Sequence, residues 1–189
     1  MPVVGVLITF HATPSHLGPL GPELPRNLSV PALRLGLRDL GYLEGHTIAL
    51  EFRFAEGRLE VLPQLAAEIV HRHVDVLVAI GPAAVRAAHA ATGAIPIVAI
   101  DLESDPVQSG WVHSFAHPGG NLTGLFMDLP SVTGKWLELL QEAVPGLARV
   151  AVLWDPTTGP HQVNALRSAA GRLGMDIHLV RLSLRVDPI

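Results

Sequence analysis

Five continuous apolar runs, each as long as one β-strand, constrain the fold of this 189-residue chain more than any other feature. A strand that is covered on both faces, as in a parallel sheet, has a run of this kind. We therefore expect these segments to be buried parallel strands. The runs span residues 3–8, 74–80, 95–100, 150–154 and 177–182.

Helical spacing fills most of the gaps between these runs. Apolar residues recur at steps of three and four in segments 59–70, 132–143 and 163–173. We expect Ser131 to cap the second of these helices and Gly174 to end the third. Segment 47–54 instead alternates strictly between apolar and polar residues, which favours a half-exposed strand at a sheet edge. The predicted order is βαβαβαβ, a loop-rich link and then βαβαβ. Such alternation indicates an α/β fold with a doubly wound parallel sheet.

Composition excludes several function classes. The 13 Lys and Arg residues against 17 Asp and Glu residues give a formal charge of −4. No basic run is present, so we expect no nucleic-acid partner. The chain has no cysteine, which removes disulfides, thiolate catalysis and cysteine-based zinc sites. We expect the apolar run near residue 3 to be a first strand and not a signal peptide, and no apolar stretch is long enough to span a bilayer.

Ligands of doubly wound sheets bind beyond the carboxyl ends of the strands, which here points to the loops after Ile8, Ile80 and Ile100. The turn Gly81-Pro82-Ala83-Ala84 starts a helix, whose free amides favour a carboxylate or phosphate. A plain strand-to-helix turn explains it equally well. The loop after Ile100 carries Asp101, Glu103 and Asp105. Their carboxylates are suited to binding an amine or a hydroxyl group of a solute, or to capping the next turn.

The sequence gives little support for a metal-binding site or a catalytic site. The ten histidines lack a recognisable spacing for three zinc ligands, and the acidic loop does not match a calcium-binding loop. Nucleophile-elbow, Walker and dinucleotide-binding motifs are missing from the sequence. We therefore predict no metal, no cofactor and no enzymatic activity, and expect a site that holds a ligand without transforming it.

Several segments together resemble one family. The helix and strand around 35–70, the strand and turn VDVLVAIGPAAVRAAHAAT, the loop DPVQSGWVHSFAHPGGNLTGL and the helix and strand KWLELLQEAVPGLARVAVLWDP occur in its order. They are similar to the ABC-transporter substrate-binding proteins of the tryptophan/tyrosine-type uptake family. The resemblance covers about residues 30–180. It implies a type I periplasmic-binding-protein-like fold, in which two α/β lobes close on a small solute.

The resemblance also implies which residues bind the ligand. The Gly81 turn stands where the family takes the ligand carboxylate, although Pro82 replaces the family's hydroxyl residue. Asp105 belongs to the family's Asp-Pro-Val loop, and Thr123 belongs to the segment that matches the family's passage from the first lobe to the second. Phe10 and His11 stand in the first-strand loop. The implied set is Phe10, His11, Gly81, Pro82, Ala83, Asp101, Glu103, Asp105 and Thr123.

The implied function is that of a non-catalytic, solute-binding component of an ABC uptake transporter. We expect residues 1–121 to form the first lobe and residues 122–189 part of a second, with permease subunits as partners. The implied ligand is a hydrophobic or aromatic amino acid. Two alternatives are a Rossmann-like nucleotide-handling enzyme and the effector-sensing domain of a regulator.

Two departures from the family lead to further expectations. Family members begin with an export signal and run to around 300 residues, whereas this sequence begins close to its predicted first strand and has 189 residues. Truncation or a frameshift is therefore one hypothesis, with weak binding as its consequence. The resemblance implies a periplasmic or membrane-associated exterior location, whereas a chain complete as written would be cytoplasmic. An incomplete second lobe predicts either self-association through residues 125–189 or a loosely packed C-terminal third.

Overall fold

Parallel strands joined by helices form most of the chain. The computed structural model describes residues 1–9, 29–101, 104–126, 129–154 and 160–182. The strands are β1 Val3–Ile8, β2 Ala49–Phe54, β3 Val76–Ile80, β4 Ile97–Asp101, β5 Leu122–Phe126, β6 Arg149–Trp154 and β7 Asp176–Arg181. The helices are α1 Ser29–Asp39, α2 Leu62–His71, α3 Pro82–Ala91, α4 Leu129–Ala143 and α5 His161–Leu173, and a 3₁₀ turn at Leu59–Val61 precedes α2. This order confirms the predicted α/β alternation.

The larger sheet has five parallel strands in the order β2-β1-β3-β4-β5. From β1 the chain first moves outward to β2 and then crosses to β3 on the other side. The direction of winding therefore reverses between β1 and β3, and ligands of such sheets bind beside a reversal of this kind. Strand β2 lies at an edge and is half-buried along its length, as its alternating sequence predicts.

One face of this sheet is covered by α2, α3 and the segment 104–112. Side chains that point to this face alternate with those that point to the other, so Leu7, Leu77 and Ala99 share it across neighbouring strands. They are at most 5% exposed. Pro63 lies in the first turn of α2, where a missing N–H costs nothing.

The opposite face is covered by α1, but only in part. Val6, Ile8, Val78 and Ile80 are buried there together. Toward β5 this cover ends, and Leu125 is 68% exposed.

Residues 122–126, which the sequence assigned to the second lobe, pair with β4 in the five-stranded sheet. The first sheet thus extends to Phe126. The two strands are parallel, and their register runs from Ile97↔Leu122 to Asp101↔Phe126. The division into lobes at residue 121 stays a prediction.

Strands β6 and β7 form a separate two-stranded parallel sheet. Leu137 of α4 and Leu166 and Ala170 of α5 are buried with Met175 against one face of it. Leu153 on the other face is 68% exposed. Gly174 ends α5 in a left-handed conformation at φ 66°, as predicted.

The start of α4 differs from the sequence prediction. The helix begins at Leu129, so Ser131 lies inside its first turn and is not the cap. Pro130 is compatible with this earlier start, because the first turn of a helix does not need its N–H groups. None of the described helices is both long and apolar enough to cross a bilayer.

Candidate ligand-binding site

The carboxyl ends of β1, β3 and β4 meet at one edge of the larger sheet. Backbone hydrogen bonds hold their next residues together: the Thr9 N–H donates to the Ile80 carbonyl at 3.3 Å, and the Gly81 N–H donates to the Ile100 carbonyl at 2.9 Å. The Thr9 hydroxyl also donates to the Ile80 carbonyl at 3.3 Å. Thr9, Gly81 and Asp101 are thereby placed side by side at the carboxyl ends of these strands.

Helix α3 begins directly at this edge. Gly81 precedes it with φ 95°, a conformation that disfavours any residue with a Cβ, and Pro82 occupies the first helical position. The Gly81 carbonyl accepts the first intrahelical bond, from the Val85 N–H at 3.0 Å. The N–H groups of Ala83 and Ala84 lie ahead of that bond and have no acceptor within the helix. This end of α3 therefore favours a negatively charged group.

Asp101 at the end of β4 and Asp105 in the next loop both accept hydrogen bonds from backbone N–H groups of that loop. Asp101 is 4% exposed, and its Oδ1 accepts a hydrogen bond from the Ser104 N–H at 2.9 Å. The Asp105 Oδ1 accepts from the N–H groups of Val107 at 2.8 Å and Gln108 at 3.1 Å. The capping alternative is confirmed for both carboxylates. Capping occupies Oδ1 in each case, so it does not decide whether either side chain also binds an amine.

A cavity of about 300 Å³ lies between the end of β4, strand β5 and the loop 104–118. Its size falls at the lower end of the range for small-molecule pockets, roughly 300–1,000 Å³. Most of its wall is apolar, and Asp101 is the one acidic or basic side chain among the described residues that line it. The lining residues are Val85, Ala99, Asp101, Ser104, Pro106, Trp111, Val112, Ser114, Phe115, Pro118 and residues 122–126.

A short flap, residues 113–118, stands over this cavity. The His113 N–H donates to the Pro118 carbonyl at 2.9 Å, and the His117 N–H donates to the Ser114 Oγ at 3.0 Å, so both ends of the flap are tied. Phe115 lies between these ties and is 64% exposed. Its ring stacks on that of Phe126 with a centroid separation of 5.6 Å and an interplanar angle of 8°. The flap thus places an aromatic ring at the mouth of the cavity.

The structure brings most of the predicted site residues to this edge of the sheet. Gly81, Pro82 and Ala83 form the start of α3. Asp101 and Thr123 line the cavity, and Asp105 lies in the loop between two lining residues. The remaining three predicted residues, Phe10, His11 and Glu103, lie outside the described residues.

Sequence reasoning missed Thr9, Trp111, Phe115 and Phe126. Thr9 is the first polar residue after a buried strand, a signal that the sequence does carry. The three aromatic residues carry no such signal, because their approach depends on the flap and on the pairing of β5 with β4. No group of three His, Asp or Glu side chains that could hold a metal ion occurs within the described ranges.

Comparisons with known proteins agree on one family. Residues 26–185 match the family described as ABC transporter substrate binding protein. The curated "Tyrosine-binding protein" of Clostridioides difficile is 30% identical over 143 residues, which are 75% of this chain and 41% of that protein. The chain therefore spans less than half the length of this relative.

Solved structures share the fold. A conserved domain protein from Vibrio cholerae superposes with a TM-score of 0.75 at 24% identity, over 96% of this chain and 57% of that one. An ABC domain in complex with L-Trp from Streptococcus pneumoniae gives a TM-score of 0.73 at 21% identity, again over 96% and 57%. Because the family match extends over most of its length, this chain belongs to the ABC transporter substrate binding protein family.

Proposed function

We propose that this chain contributes the solute-binding first lobe of an ABC uptake system. The observation that carries the proposal is the sheet edge where Thr9, Gly81 and Asp101 meet beside a cavity of about 300 Å³. That edge combines helix amides for an anion, a carboxylate for a cation and apolar walls for a side chain. Family membership favours this function over a nucleotide-handling enzyme or a regulator domain.

The proposed ligand is a hydrophobic or aromatic amino acid. Its carboxylate would accept from the amides of Ala83 and Ala84, and its ammonium group would contact an acidic residue after β4. The names of relatives support this class, since one is called tyrosine-binding and another was solved with L-Trp. Holding such a ligand requires no reacting group, so we propose that the chain is not an enzyme.

The proposed partners are permease subunits and a second copy of the chain. Members of this family deliver solutes to ABC permeases, and they are typically periplasmic or extracellular. Self-association is proposed through residues 125–189, where large apolar side chains reach solvent. Those of Trp136, Leu139 and Leu153 are 43%, 50% and 68% exposed. Covering them would remove apolar surface from water, which favours association.

Thermal-shift and calorimetric screening of amino acids tests the ligand class. We expect L-tryptophan, L-tyrosine, L-phenylalanine or L-leucine to raise Tm, because a ligand that binds only the folded state at 100 times its Kd stabilises that state by about 2.7 kcal/mol. L-glutamate and L-lysine serve as controls that share the backbone groups but carry a charged side chain. No change in Tm and no binding heat with any amino acid would overturn the proposal.

A further inference from the structure

Helix α4 carries an apolar stripe that is open to solvent. Its large side chains recur at steps of three and four residues, so they share one face of the helix. Each of them is between 42% and 50% exposed. The stripe consists of Val132, Trp136, Leu139, Leu140 and Val144, the last of which directly follows α4.

A different face of α4 packs inside the chain. Thr133 and Leu137 each follow a stripe residue by one position, about 100° further round the helix, and both are 1% exposed. Gln141 lies on that side as well, and its side-chain amide donates to the Leu173 carbonyl at the end of α5. The contacts of α4 with α5 and with the two-stranded sheet therefore leave the stripe uncovered.

The stripe borders a second cavity. Trp136 and Leu140 line a space of about 250 Å³ together with residues 150–154 of β6 and with Val163 and Leu166 of α5. This surface thus combines an exposed apolar ridge with a hollow beside it. Ridges that pack into hollows are the way in which helices contact one another.

Charged residues along one edge of the stripe favour one orientation of a partner helix. Lys135 and Glu142 are two turns apart, so they lie on the same edge, and both are exposed. A second α4 that runs antiparallel brings Lys135 of each copy opposite Glu142 of the other, whereas a parallel one brings like charges together. Within its own helix Lys135 contacts Glu138 at 2.9 Å, and an ammonium group can donate to a second carboxylate.

We propose that two copies of this chain associate through α4, packed antiparallel around a twofold axis near residues 138 and 139. The proposal rests on the self-association proposed above, and it adds the surface and the orientation. The stripe exposes apolar area on the order of 400 Å² per copy, about half of the roughly 800 Å² that each partner of a stable interface buries. The dimer is therefore weak and reversible, with a Kd in the micromolar range. The facing pairs are Val132 with Val144, Trp136 with Leu140 and Lys135 with Glu142.

Sedimentation velocity of the whole 189-residue chain, from micromolar to near-millimolar concentration, tests the surface. We expect the chain to dimerise and Leu139→Glu, in the middle of the stripe, to raise the Kd of the dimer at least roughly 30-fold, because it removes a central apolar contact and places a charge there. Leu40→Glu is the control, since the same change at a side chain that is 76% exposed after α1 should leave this Kd unchanged. Undiminished dimerisation of Leu139→Glu would overturn the proposal.

Cross-linking through introduced cysteines tests the orientation. Val132→Cys and Val144→Cys each carry a single thiol, because the sequence has no cysteine. In the antiparallel dimer the two thiols of either variant alone lie about 18 Å apart along the helices, whereas thiols at positions 132 and 144 face each other. A short bismaleimide should therefore join the two variants when they are mixed and join neither to itself. Cross-linking of Val132→Cys to itself, or none in the mixture, would contradict the proposal.

The outcomes separate this inference from the proposed function. Dimerisation that is lost with Leu153→Glu, on the opposite face of the two-stranded sheet, but not with Leu139→Glu would sink the inference and leave self-association through residues 125–189 standing. A monomer at every concentration would overturn both and leave the solute-binding proposal to the thermal-shift screen. Circular dichroism checks folding, and if Leu139→Glu does not fold, the cysteine variants decide the matter.

Discussion

Replacing Gly124 with alanine is expected to lower the free energy of unfolding by at least about 3 kcal/mol. Gly124 adopts φ 155° in β5, and a Cβ at this position would overlap the carbonyl oxygen of Ala99 on β4. The obstacle is backbone, which cannot rotate away as a side-chain end can. The substitution must therefore separate the two strands, and the cavity they share would be lost with them.

Chemical denaturation of matched variants measures this effect. Gly36→Ala is the control, since Gly36 is exposed inside α1 and a Cβ there meets nothing within 4 Å. It should stabilise the protein by about 0.5–1 kcal/mol, because glycine costs helices conformational entropy. The same chemical change would thus act in opposite directions at the two sites. A Gly124→Ala variant as stable as the original protein would show that β5 does not approach β4 as closely as described.

Replacing Asn121 with aspartate is expected to cost about 2–3 kcal/mol. The Asn121 Nδ2 group donates to the carbonyls of Thr92 at 3.1 Å and Ile95 at 2.8 Å, which ties the loop after α3 to the start of β5. Aspartate offers only acceptors to these two acceptors. It also adds a negative charge near the carboxyl end of α3, where the helix dipole disfavours it.

The control for this prediction is Asn164→Asp. Asn164 is exposed in the first turns of α5, where a negative charge is neutral or favourable by about 0.3–1 kcal/mol. Both variants change the net charge equally, so a difference between their urea midpoints reports on the local contacts. Equal midpoints for the two variants would contradict the role given to the Asn121 amide.

The strands and helices could be predicted because each buried element has a recognisable local pattern of apolar residues. A strand covered on both faces, such as β3, must be apolar throughout, and the Gly81-Pro82 pair marks the start of α3 because both residues suit that backbone. Strand β5 was harder to assign. Its sequence Leu122-Thr123-Gly124-Leu125-Phe126 is short and contains a glycine that weakens the strand pattern, and only its pairing with β4 explains that glycine.

The site could be predicted only in part, for the same reason. Asp101 and the start of α3 follow directly from strands and could be placed by topology. The stacking of Phe115 on Phe126 depends on the turn of the flap and on the register between β4 and β5, neither of which the local sequence encodes. Ser131 shows a similar limit, because Pro130 allows α4 to start before the residue that looks like a cap.

Titration of the isotopically labelled chain with L-tryptophan, followed by amide NMR, tests whether a small solute binds at the carboxyl edge of the larger sheet. We expect saturable shift changes to concentrate in the start of α3, in Asp101 and in residues 104–126, where the helix amides, the carboxylate and the cavity lie. Unchanged spectra at millimolar ligand, or changes confined to β6, α5 and β7, would contradict it.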